Sequence, residues 1–133
     1  MTHASAVAGH ELPSALLGHI LNGSWPPVLN AMALSEVFGE VPEISAKLYT
    51  VDEMEGETTR WQHETDPAYL GFGEDTLDPA RSILIGDLGF DRPIGIDLRR
   101  SPAPVRLLTI DGRWRVVSDS IDELLHVLAS WGD

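Results

Sequence analysis

The residues that could do chemistry here are five histidines, a set of aspartates and a single lysine. His3, His10, His19, His63 and His126 include no pair spaced to put two imidazoles on one helix face around a metal. His63, Glu64 and Asp66 offer ligand atoms, but on the spacing of an exposed polar helix end. Asp87, Asp91 and Asp97 raise a carboxylate reading, since two carboxylates can divide acid and base roles and hard cations take oxygen ligands. Their spacing is not that of a calcium loop. Asp87 and Asp91 fall where aspartate holds turns through its own backbone. Asp97 falls mid-strand, on the face opposite Ile94, Ile96 and Leu98, so solvent or a buried hydrogen bond must satisfy it. Gly86, Gly89 and Gly95 make no phosphate loop, because no Lys-Ser or Lys-Thr follows and the next element reads as a strand. No serine stands in a Gly-x-Ser-x-Gly elbow. Lys47 is the one lysine, and the absence of cysteine removes disulfides, thiolate ligands and a thiol nucleophile. These residues point to no catalytic group, no metal and no cofactor.

The elements that would position them centre on Arg81–Arg99. Ile83, Leu84 and Ile85 begin one strand, and Ile94, Ile96 and Leu98 alternate with Gly95 and Asp97 in the next. Gly86, Asp87, Gly89, Asp91 and Pro93 turn the chain between them. Strands over 105–110 and 113–117 follow, joined by Asp111-Gly112, a strong hairpin signal. Shorter strands are predicted over 46–50 and 68–72, with an acidic loop over 73–79. Helices are predicted from Pro13-Ser14 to Asn22-Gly23, over about 28–38, and over 51–62. A closing helix opens on Ser120 and Glu123 as a capping box and carries the stripe Ile121, Leu124, Leu125 and Leu128, with Trp131 beside it. Helices, then consecutive strands with short connections, then a helix give an α+β class. The expectation is an antiparallel β-meander of about five to six strands, flanked by N-terminal helices and a C-terminal helix. Residues 1–11 read as a flexible tail and residues 12–133 as a single domain, a size that supports one core.

Net charge is −12 and unevenly placed. Residues 51–80 hold nine acidic residues against Arg60, a net −8, whereas residues 81–133 come to −1. Such a surface repels phosphate backbones, so nucleic acid is not the expected partner. It draws in basic proteins and speeds their encounter. The apolar fraction of 43% suits a folded chain. No apolar run reaches the roughly 18 residues that cross a membrane. The N-terminus has no signal-peptide pattern, so no membrane and a cytoplasmic location are expected. Of the tryptophans, Trp114 and Trp131 read as core. Trp25, in a Pro-rich connector, and Trp61, beside the acidic middle, are open to packing or to partner contact.

In order along the chain, several short motifs resemble the SUKH superfamily. They are Gly9-x-x-Leu12-Pro13, a helix ending in Asn22-Gly23, Leu48-Tyr49-Thr50 before an acidic helix, and Ile85-Gly86-Asp87. Pro93-Ile94-Gly95-Ile96-Asp97-Leu98, Pro104-Val105-Arg106, Trp114 and the run Ser118 to Leu125 continue the pattern. Their order and spacing, more than any one motif, carry the resemblance, which spans nearly the whole chain beyond the tail. It implies a strand meander flanked by helices and a non-enzymatic, protein-binding role. Many members are bacterial immunity proteins that neutralise polymorphic toxins such as nucleases or deaminases. Another branch regulates cell-wall synthesis through protein contacts. The expected function is therefore an immunity protein that occludes a basic cognate toxin, with an intracellular regulatory or scaffold protein as the alternative. Glu53, Glu57, Trp61, Asp66, Glu74, Asp75 and Asp78 are the expected contact residues, charges steering the encounter and the aromatic ring anchoring it.

Overall fold

Buried strands and their coverings organise the chain. The computed structural model describes residues 6–26, 35–36, 38, 46–64, 69–89, 92–109 and 111–131. Asp66, Ala68, Asp91, Ile110 and most of the helix expected at 28–38 lie outside the described residues, as do the side chains of Leu128 and Trp131. Four strands form the meander: β6 (Ser82–Asp87), β7 (Pro93–Asp97), β8 (Val105–Leu108) and β9 (Trp114–Ser118). A short β3 (Lys47–Leu48) pairs antiparallel on the outer side of β6, giving a five-stranded sheet in the order β3-β6-β7-β8-β9. The class is α+β, as the element order implies.

Residues opposite one another in neighbouring strands share a face. Ile83, Ile96 and Val105 align across three strands, and Ile94 aligns with Leu107. All five are fully buried. On the other face Leu84, Gly95 and Arg106 align. That face is covered too: a Cβ added at Gly95 would lie 2.7 Å from the Leu77 Cδ2 atom. Covering both faces is why β6 reads as a continuous apolar run rather than an alternation.

α2 (Val51–Glu64) buries Met54, Thr58 and Trp61 and packs against β6. β3 pairs with β6 at Gly86 and Asp87, and the Tyr49 amide just after it donates to the Ile85 carbonyl at 2.8 Å, so the edge before Ile85 needs another partner. There the Leu84 amide donates to the buried Thr58 Oγ1 at 3.0 Å. The helix thus satisfies the strand edge that β3 is too short to reach. α1 (Ser14–Leu21) ends at Asn22, with Gly23 at φ +83° supplying the left-handed stop expected of Asn-Gly. It packs on α3 (Ile121–Trp131), whose Ile121, Leu124 and Leu125 are buried and whose Glu123 amide is capped by Ser120 Oγ.

Two smaller pairings modify the sequence reading. Within the expected tail, β1 (Ala6–Val7) and β2 (His10–Glu11) form a hairpin, and Val7 is fully buried. Both Glu55 carboxylate oxygens accept the Ala8 amide, and Gln62 Nε2 donates to the Ala8 carbonyl, so this hairpin is fixed to α2. Within the expected acidic loop, β5 (Asp75–Thr76) pairs with β4 (Gly71–Phe72), and a 3-10 turn over Pro79–Arg81 leads into β6.

Candidate functional site

The acidic segment divides into a helical part and a hairpin part. At the start of α2 the Thr50 amide donates to Glu53 Oε1 at 2.9 Å, and the Glu53 amide donates to Thr50 Oγ1 at 3.2 Å. This reciprocal capping box satisfies two helix-end donors. The same Glu53 carboxylate pairs with Lys47, and those bonds hold its pKa below the usual range. Glu53 is thus committed to the fold of the β3–α2 junction. The spacing Thr50-x-x-Glu53 carries this signal in the sequence. One turn on, Glu57 pairs with Arg60 at 3.1 Å on the exposed side of the helix.

Trp61, expected as a contact residue, is core: it is 6% exposed. Its indole Nε1 donates to Ser82 Oγ at 2.7 Å, and its ring meets Trp114 with centroids 5.5 Å apart. Helical spacing puts Trp61 seven residues after the buried Met54, on the sheet side of α2. Trp25 is likewise buried, with Nε1 donating to the Tyr49 carbonyl at 2.8 Å.

The hairpin part stays at the surface. Glu74 is exposed at the β4–β5 turn, and its carbonyl faces Arg106 Nη1 at 3.5 Å. Asp75 meets Arg113 Nη1 at 3.3 Å. Asp78 accepts the Ala80 amide at 2.9 Å as the cap of the 3-10 turn, and lies 3.9 Å from Arg81. Phe72, at 49% exposed, was not among the expected contacts. The Arg113 guanidinium sits 4.1 Å from the centroid of its ring. Tyr69 is also exposed, and its carbonyl accepts Trp114 Nε1 at 2.7 Å. A single aromatic between two glycines gives no periodic signal, which is why a pattern search passes over Phe72.

Beneath this hairpin lies the fate of Asp97. Its carboxylate is fully buried and accepts from Arg99 Nε at 2.9 Å and Arg106 Nε at 3.0 Å. Arg106 also donates to the Trp114 carbonyl at 2.8 Å, and Arg99 Nη2 to the Thr76 carbonyl at 2.7 Å. Burial pushes the Asp97 carboxyl up, but the bonds from Arg99 and then Arg106 outweigh it and hold the pKa below the ordinary aspartate range. The cluster ties β7 and β8 to β5 and β9. Asp87 instead receives the Tyr49 hydroxyl at 2.7 Å and the Gly89 amide at 3.1 Å. Its half-buried carboxyl is pushed up, chiefly by burial. The two described aspartates of the central block are therefore built into turns and strand pairing. Among the described residues, no three His, Asp or Glu side chains gather as a metal centre would require.

No protein-family model, no curated protein and no solved structure matches this chain.

Proposed function

We propose that this protein is a non-enzymatic, cytoplasmic protein-binding domain, an immunity protein of SUKH type that binds and neutralises a basic bacterial polymorphic toxin. The observation that carries this reading is the charge of residues 51–80, a net −8 in a chain of net −12. Within that stretch, Glu57, Glu74, Asp75 and Asp78 stand at or near the surface of α2 and the β4–β5 hairpin. Such a surface accelerates encounter with a positively charged partner and disfavours acidic ones. The order of the SUKH-like motifs supports a protein-binding role, immunity against a toxin or, as the alternative, intracellular regulation or scaffolding. A toxin encoded by the adjacent reading frame is what would favour the first. Asp97 and Asp87, the strongest candidates for acid–base chemistry, are engaged by Arg99, Arg106 and Tyr49.

The test is co-purification. The tagged full-length chain is expressed with the C-terminal domain of the protein encoded by the adjacent reading frame. A stable complex that co-elutes in size exclusion is expected. Separate elution of the two folded proteins at low and moderate salt would overturn the proposal.

A further inference from the structure

The geometry points to the tip of the β4–β5 hairpin, with Phe72 at its centre, as the place where a basic protein partner docks, an inference that rests on the protein-binding function proposed above. Phe72 holds a large apolar ring half in water at a hairpin tip. Neighbouring glycines set its position: Gly71 has φ +83° and Gly73 φ +64°, the left-handed region that glycine enters most freely. A Cβ at Gly71 would come 2.1 Å from the Asp75 carbonyl oxygen, so only glycine lets the two strands close this tightly.

The ring is also held in place before any partner arrives. Arg113 stacks on it at 4.1 Å, and Asp75 binds Arg113 at 3.3 Å. From below, Trp114 Nε1 grips the Tyr69 carbonyl, and the Arg99 guanidinium grips the Thr76 carbonyl. An anchor already ordered loses little side-chain freedom on binding, which favours affinity. An apolar centre with a charged rim is the anatomy of a protein–protein contact.

The rim specifies the occupant. Glu74 and Asp75 follow Phe72 in the hairpin, and Asp111 precedes Gly112, where an added Cβ would meet the Phe72 ring at 3.7 Å. The cations beside them are already engaged, Arg113 with Asp75 at 3.3 Å and Asp111 at 3.7 Å, and Arg99 and Arg106 with the buried Asp97. A partner with an apolar pocket for Phe72, edged by lysines or arginines, fits this surface. A second copy of this chain would bring its own acidic rim against the first, and that repulsion disfavours self-association.

The experiment immobilises the C-terminal domain of the adjacent reading frame's product. It measures binding of the full-length chain, Phe72→Ser, Glu74→Lys and, as a charge-matched control remote from the hairpin, Asp119→Lys. Circular dichroism and thermal melts check each fold. Phe72→Ser tests the anchor, and Glu74→Lys tests the rim through a side chain that points to solvent. Each is expected to weaken binding by about tenfold or more, with Asp119→Lys within about threefold of the unmodified chain. Folded Phe72→Ser that binds within about threefold of the unmodified chain overturns the docking site while the binding function stands. Failure of the unmodified chain to bind overturns the proposed function and this inference with it. Self-association that Phe72→Ser abolishes, seen in sedimentation, overturns the basic partner in favour of a second copy.

Discussion

Individual side chains divide the acidic and aromatic residues into those that hold the fold and those that stay exposed. Asp97 belongs to the first kind. Removing one member of a buried ion pair leaves the other charge uncompensated, so Asp97→Ala should cost about 3–5 kcal/mol, read from urea denaturation. A loss within the range of an ordinary surface substitution would show that Arg106 finds another partner. The pH dependence follows from the same contacts. Asp97 has a folded pKa below its ordinary value, so its stabilisation is present above about pH 4 and lost as the pH falls through the lower folded value. Asp87 is raised, so its contribution has the opposite sign: it is present at low pH and lost as the pH rises through the raised value. At the alkaline end, burial and then the hydrogen bond to Asp87 raise the Tyr49 pKa well above normal. The unfolded chain therefore gives up that proton first, and stability should fall as the pH climbs past about 10. Tyr49→Phe should flatten that alkaline decline in denaturation midpoints. An unchanged slope would assign the decline to other groups.

At the scale of elements, α2 covers the edge of β6 that β3 does not reach and carries Glu57, while Arg99 just after β7, Arg106 of β8, and Arg113 and Trp114 at the start of β9 hold the β4–β5 hairpin. Thr58→Val removes the acceptor for the buried Leu84 amide at nearly constant volume. A loss of about 1–3 kcal/mol is expected, with Thr58→Ser recovering most of it in the same denaturation assay. Gly86→Ala should destabilise as well, since its Cβ would fall 2.7 Å from the Lys47 carbonyl and push β3 off the sheet. Amide exchange at Tyr49, whose N–H bonds the Ile85 carbonyl at 2.8 Å, would report that opening directly. Much of this architecture was legible in the sequence. Alternating apolar residues marked β7, Asp111-Gly112 marked the β8–β9 turn, and Ser120 with Glu123 marked the start of α3. What escaped were elements held by distant partners. The hairpin over 6–11 depends on Glu55 and Gln62, some fifty residues away in sequence. β5 is two residues long in an acidic stretch that has the composition of a loop. Trp61 was legible as a helical residue, yet only the sheet packed beneath it decides that its ring is core.

For the whole molecule, the distribution of charge is the feature on which the proposed binding of a basic protein rests. A net −12, of which −8 falls over residues 51–80, should make association with a basic protein fast at low salt. Raising ionic strength from about 0.05 M to about 0.5 M shortens the Debye length and should slow the association rate by about tenfold, with dissociation changing less. Rates insensitive to salt would mean that apolar contact, not charge, brings the proteins together. Neutralisation is the central claim, and growth rescue measures it most directly. Bacterial cells expressing the C-terminal domain of the adjacent reading frame's product should stop growing, and co-expression of this chain should restore growth. Folded Phe72→Ser should rescue less well. Full toxicity persisting beside abundant, folded, unmodified protein would contradict the immunity function.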